Sequence, residues 1–384
     1  MISGQKILLR GCILLVGLFG VPHSKATDLD DTIKMIMEAS ERVSFQGVMT
    51  QIQVNSVGDT LRFSQRLTHQ RPARDRIDVL EPDSERGVVM IRIDGEIYRR
   101  ESVADTLVYS RRSQFGLDML DMGMDFSSFD LLRTNYTLTL SESDSMLGRD
   151  TFLLTLTPRH PGRLTKKAWL DTQTGLVLHT QYCNESGTTV EEVYFTSLQI
   201  NPLIDPDLFD TREWKGKSVE VNKVIACGSY AEVQEKAGFP LAAPVYLPPG
   251  FTLDRLRVLR YMGQPLVHFM YTDGVARLSL FERVSPPDNA APVWPDGPAE
   301  RKGNVYIWKR PPYTILRRNE NGRLCTIVSP IGSAESMKMI ESLCLIQTPE
   351  DKIPFSGSLP WMAGGGAGIL LIAGWLLWRR HSLG

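Results

Sequence analysis

Residues able to do chemistry are few in this chain and widely spaced. There are six histidines in 384 residues. His23 and His381 sit near the two termini, which leaves His69, His160, His179 and His268 scattered through the middle. No His-Glu-x-x-His or Cys-x-x-Cys is present, so metal-ligand spacing is absent and no metal is expected. There is no Gly-x-Ser-x-Gly elbow, phosphate loop or dinucleotide fingerprint either. Triads assemble across space, so missing motifs do not disprove catalysis. They do leave no candidate nucleophile, and the sequence predicts a non-enzyme without cofactor.

Side chains suited to binding are more concentrated. Phe115 to Leu132 holds ten large apolar residues in eighteen. Phe115, Leu117, Met119, Leu120, Met122, Met124, Phe126, Phe129 and Leu131 are the candidate lining of a hydrophobic pocket. Methionine is flexible and polarizable, so it adapts to ligands of variable shape such as acyl chains. The plainer reading is a plug that fills the open side of a sheet, and the two agree if the plug lines a pocket. Basic pairs recur at Arg99-Arg100, Arg111-Arg112 and Lys166-Lys167, with Arg71, Arg74 and Arg76 nearby. On alternating strands such pairs are mostly solvated outer faces. The sharper alternative places Arg99, Arg100, Arg111 and Arg112 at a rim that meets anionic head groups or an acidic partner.

The net charge is −1, from 43 Lys+Arg against 44 Asp+Glu, which excludes a protein built to neutralise nucleic-acid phosphate. Both ends are basic and lack acids, so the stretch between them is mildly acidic. Lys6 and Arg10 precede the apolar run Ile13–Val21, and Ser24 and Ala26 follow at signal-peptidase spacing, so 1–26 reads as an export signal. Cys12 precedes most of the apolar run, which argues against lipidation there. Leu359 to Trp378 carries no charge and ends at Arg379-Arg380. Twenty residues at helical rise cover the roughly 30 Å of a bilayer core. Flanking Trp361, Trp375 and Trp378 suit the interfaces, and the arginines suit the cytoplasmic side. The expectation is a single-pass type I protein of the bacterial inner membrane with its bulk in the periplasm. Gly364 and Gly368 form a small-xxx-small pair that fits a homodimer of spans. A cleaved C-terminal sorting tail is the alternative.

Cysteine usage fits an oxidising compartment. Cys183, Cys227, Cys325 and Cys344 are even in number. Five strand residues out from Cys325 and ten helical residues back each cover roughly 15 Å, so a Cys325–Cys344 bridge is expected. Four buried thiols are the bland alternative.

The elements that must position these residues are mostly strands. A helix over Leu29–Arg42 precedes strands at Phe45–Val54, Thr60–Thr68, Ala73–Leu80, Gly87–Ile93, Glu96–Arg100 and Thr106–Ser110, with a hairpin turn at Asp94-Gly95. After the insert come Tyr136–Leu140, Thr151–Pro158, Lys166–Asp171, Leu176–Asn184 and Val190–Ile200. Consecutive strands with short turns predict one large antiparallel sheet, strongly curved or partly closed. Residues 208–221 read as an extended linker between a domain at 27–207 and a second at 222–346. A stalk at 347–358, the span at 359–378 and a tail at 379–384 complete the chain.

The order of motifs resembles the RseB/MucB family. In the first domain these are Gly148-Arg-Asp150, Arg163, Trp169-Leu-Asp171, Thr174-Gly-Leu176 and Val190–Leu198 before Ile204-Asp205. Phe45-Gln-Gly47, Asp75-Arg76 and Leu80 fit more loosely. In the second they are Tyr246-Leu-Pro-Pro-Gly-Phe251, His268, Tyr271-Thr-Asp-Gly-Val275 and Leu278-Ser-Leu-Phe281. The resemblance implies an α+β fold: an antiparallel half-barrel like the lipoprotein carrier LolA, closed by helices, then a smaller C-terminal α/β sandwich. It also implies a periplasmic regulator of an envelope-stress sigma factor. Such a protein binds an anti-sigma factor's periplasmic region and releases it when lipid, lipopolysaccharide or lipoprotein acyl chains bind. Familiar members are soluble, so the membrane span is a departure. The rival expectations are a LolA-like lipid or lipoprotein carrier and a non-lipid envelope scaffold.

Overall fold

The computed structural model describes residues 29–54, 59–93, 96–103, 106–113, 129–212, 214, 217–220, 224–261, 264–285, 299–310 and 313–346. Helix α1 (Leu29–Arg42) opens with Asp30 and Asp31 in its first turn and closes with Arg42 in its last. That charge order complements the helix dipole.

Strands β1 (Phe45–Val54), β2 (Thr60–Gln70), β3 (Arg74–Glu81), β4 (Val89–Ile93), β5 (Glu96–Val103) and β6 (Thr106–Ser113) follow as one meander. A short helix α2 (Phe129–Asn135) leads into a second meander. It comprises β7 (Tyr136–Met146), β8 (Arg149–Pro158), β9 (Thr165–Asp171), β10 (Val177–Cys183) and β11 (Thr189–Ile200). Pairing of β1 with β11 joins the meanders, and β12 (Lys217–Glu220) adds parallel to β6, giving a sheet of 12 strands.

Register decides which face is apolar, because successive side chains point to opposite sides. Phe45, Met49, Leu67, Ile77 and Met90 share one face with Leu154, Leu156, Ala168, Leu170, Val193 and Phe195. Ile33 and Ile36 of α1 and Phe129 and Leu132 of α2 pack on this inner face. His69 pins the end of α1: its ring nitrogens meet the Ser40 carbonyl and Asp75, each at 2.7 Å. Arg92 completes that buried group by pairing with Asp75. Midway along α1, Gly175 holds φ 74 and lies so close to Met35 that a Cβ would sit 2.6 Å from its carbonyl oxygen.

The second sheet has 8 antiparallel strands. After β13 (Ile225–Cys227), α3 (Tyr230–Ala237) and β14 (Ala242–Pro244) come β15 (Thr252–Tyr261), β16 (Gln264–Thr272) and β17 (Arg277–Val284). Then follow β18 (Glu300–Lys302), β19 (Val305–Arg310), β20 (Tyr313–Glu320), β21 (Arg323–Ser329), α4 (Ser333–Glu341) and β22 (Leu343–Leu345). Ser229 caps α3 by accepting from the Glu232 amide, and Gly238 ends it in the left-handed region. Val233 of α3 and Met337, Met339 and Ile340 of α4 pack against Leu256, Phe269, Leu280 and Ile327.

Several expectations change. The expected connector at 208–221 lies in part against the first sheet. Pro206–Phe209 forms a 3-10 turn that buries Phe209 on the outer face against Val89 and Ile91, and β12 then extends the sheet. Arg76 donates to the Leu208 carbonyl and Arg100 lies over Trp214, so the connector is strapped to the first sheet. The expected Cys325–Cys344 bridge is not formed: Cys183, Cys227, Cys325 and Cys344 are free thiols. The chain does turn back through α4. However, β22 leaves the large sheet to pair with β14, which leaves Cys344 exposed opposite Ala243. Cys325 stays buried in β21 opposite Glu282, its thiol pushed up to about 12 by burial and by that carboxylate.

The expected export signal and the span at 359–378 with Gly364 and Gly368 lie outside the described residues. Among the described residues no helix is long and apolar enough to cross a membrane.

A candidate binding face and its domain joint

The inner face of the first sheet is apolar at its centre and polar toward one end. Lys166, Tyr182, Glu191, Gln51 and Gln53 share the inner side by register. Lys166 is fully buried and donates to the Tyr182 hydroxyl at 3.0 Å. Glu191 accepts from the Gln51 amide at 2.7 Å. Burial pushes the Glu191 carboxyl up, while the Gln51 and Gln53 amides and the Lys166 charge pull it back. Thr180 lies between Ala168 and Val193 on the same face, and its buried hydroxyl has no hydrogen-bond partner in the structure. Tyr313 of the second sheet is raised by burial and then by Glu191 and Tyr182.

A larger contact between the domains forms at the turn from β16 to β17. Arg163 and Asp273 are both buried, and Arg163 Nη1 donates to Asp273 Oδ2 at 2.7 Å. Tyr136 Oη donates to the same oxygen at 2.9 Å. The backbone amides of Val275 and Ala276 reach Asp273 Oδ1 at 3.0 and 2.7 Å. Burial drives the Asp273 carboxyl upward, and Arg163, these amides and Tyr136 draw it down.

Arg163 also donates to the Pro249 carbonyl and lies 4.9 Å from the Phe251 ring centroid. Asn135 at the end of α2 donates to the Gly250 and Asp273 carbonyls at 3.0 and 2.9 Å. His160 meets the Asn135 Oδ1 at 3.2 Å. Gly250 and Gly274 both have positive φ, and a Cβ would fall 2.0 Å from Asn135 Oδ1 or 2.8 Å from the Leu132 amide nitrogen. Both requirements explain glycine at these positions. Val275 packs into the apolar core of the first domain.

The predicted site residues are distributed unevenly. Phe115, Leu117, Met119, Leu120, Met122, Met124 and Phe126 lie outside the described residues. Phe129 packs on the inner-face core with Arg133 over its ring at 4.4 Å, and the backbone of Leu131 approaches Gly274. Arg99 and Arg100 do not converge. Arg99 shares the Met90 side and approaches Glu85 at 3.8 Å, whereas Arg100 stacks on Trp214 outside. Arg111 and Arg112 take register positions opposite Tyr98 and Ile97, but their side chains are outside the described residues. Lys166-Lys167 is not a solvated pair, since Lys166 faces inward and is buried.

Sequence reasoning missed the roles of Lys166, Asn135, Tyr136 and Asp273. The joint did leave a signal. Arg163, the run Pro249-Gly-Phe251 and the run Asp273-Gly-Val275 are among the residues that carried the family resemblance. No group of His, Cys, Asp and Glu able to hold a metal occurs among the described residues.

The fold and joint define a two-domain, β-rich protein whose second domain meets the first through Val275 on its apolar core and through the Arg163–Asp273 pair. Residues 28–215 match the family described as the MucB/RseB N-terminal domain. The chain is 27% identical over 336 residues to the sigma factor AlgU regulatory protein MucB of Pseudomonas aeruginosa, covering 85% of this chain and 95% of that protein. It superposes on MucB in the Pseudomonas aeruginosa MucA/MucB complex with a TM-score of 0.55 at 21% identity, over 83% of this chain and 99% of that one. MucB in complex with MucA(peri) gives 0.54 at 21% identity, over 84% and 100%. Residues 28–215 thus form a MucB/RseB N-terminal domain, and the likeness to MucB continues beyond it.

Proposed function

We propose that this protein regulates an extracytoplasmic-function sigma factor from the periplasmic side by binding the periplasmic region of an anti-sigma factor. The observation that carries the reading is the match to MucB across both domains, 95% of that protein's length, together with a like fold in MucB bound to MucA(peri). Lipid or lipoprotein acyl chains act as the opposing signal. They occupy the inner face of the first sheet, whose apolar centre suits a non-covalently bound acyl chain. The lipid and the anti-sigma segment are coupled ligands, and each must weaken the other by the same factor.

The apolar stretch at 359–378 anchors the protein in the inner membrane, which raises its effective concentration near a membrane-bound partner without new contacts. The test uses the full chain in detergent, a labelled peptide of the partner's periplasmic region and a fluorescent fatty acid. Saturating fatty acid is expected to weaken peptide binding about 5-fold or more. Peptide affinity that stays constant across the titration would remove the mechanism.

A further inference from the structure

The turn joining β16 to β17 reaches out of the second domain and ends inside the first. Val275 at its tip packs with the inner-face core, the same apolar surface that holds Met49, Leu154 and Leu170. Gly274 sets the tip against the backbone of Leu131 and Leu132 in α2, where a side chain would not fit. Asp273 secures the base of the turn through Arg163 and Tyr136 on one side and its own amides on the other. Asn135 ties the end of α2 to the carbonyls of Gly250 and Asp273. One helix of seven residues therefore touches both the apolar face, through Phe129 and Leu132, and the joint.

We infer that the Asp273–Ala276 turn is the sensor of the inner face: an apolar chain bound there competes with Val275 and α2 for the same core, and so loosens the second domain. The inference rests on the proposed lipid occupancy and specifies how it is transmitted. Two features favour competition over passive support. Val275 is only partly buried and inserts from another domain, so its contact is lost by rigid-body movement without unfolding either sheet. The polar clasp at its base is a discrete set of hydrogen bonds that can be made or broken as a unit. Such bistable contacts convert small local shifts into domain movement.

The experiment compares the full wild-type chain with Val275→Ala and Phe129→Ala, using 11-(dansylamino)undecanoic acid as the probe and amide exchange as the second readout. Probe binding is expected to raise exchange over residues 246–251 and 271–276 in the wild type. Val275→Ala removes the competitor, so it should bind the probe about 5-fold more tightly. Phe129→Ala is expected to bind the probe with a smaller exchange response at 271–276, because the lever through α2 is shortened. Probe binding that leaves 271–276 unchanged, with Val275→Ala at wild-type affinity, overturns the sensor. Absence of probe binding in all three chains overturns instead the lipid reading on which it rests.

Discussion

Arg163 illustrates how one side chain serves two domains. Its guanidinium pairs with Asp273, caps the Pro249 carbonyl and stacks on Phe251, all in a buried setting. Removing one partner of such a pair leaves an uncompensated charge, which costs far more than the pair contributes. Arg163→Ala is therefore expected to destabilise the protein by about 3–5 kcal/mol, measured by urea unfolding. A loss near that of a surface pair, below about 1 kcal/mol, would contradict the buried geometry. Lys166 carries the opposite lesson. Beside Lys167 it read as half of a solvated pair, yet strand alternation turns it inward to Tyr182. Period-two patterning predicts that neighbours face apart, but it does not say which of two lysines faces the core.

Among the elements, β16 and β17 place two titratable groups on opposite faces of the second sheet. His268 stacks on Phe281 at 4.4 Å, and burial followed by the charge of Arg257 holds it down to about 3 from 6.5. Glu282 is pushed up to about 7 from 4.5 by burial, despite the Ala242 amide and Arg323. The depressed histidine contributes stability that is present above pH 6.5 and lost as pH falls toward 3. The raised carboxyl contributes stability that is present below pH 4.5 and lost as pH rises through about 7. Between 4.5 and 6.5 the two contributions oppose each other. Glu282→Gln should unmask the histidine, so that stability falls on acidification in that window more steeply than in the wild type. Parallel curves for the two proteins would exclude the assignment. Element boundaries were largely legible: α1 occupies the expected residues, and the strands of both meanders fall within about three residues of their predicted limits, except that β7 continues past Leu140 to Met146. The misses were short strands such as β12, β14 and β22. Each has only three or four residues, too few for a period: β12 forms on the edge strand β6, whereas β14 and β22 pair with each other.

For the whole molecule, the joint makes two sheets interdependent. Val275 contributes to the core of the first domain, and the 206–209 turn and β12 strap the connector to the first sheet. The wild-type protein is accordingly expected to melt in one calorimetric transition, and Arg163→Ala in two. Two resolved transitions already in the wild type would show that the domains fold independently.

Local sequence determined the strands, the helices with their caps and the apolar inner face, since each follows from short-range period and turn chemistry. It also carried the family resemblance, through motifs some of whose residues lie in the joint. Tertiary structure alone decided that Asp273 meets Arg163 and Tyr136, that Cys325 and Cys344 stay apart, and that Lys166 is buried. The reason is distance along the chain. Asp273 and Arg163 are separated by 110 residues, and no local pattern encodes a partner that only the packing of two sheets brings within hydrogen-bond reach.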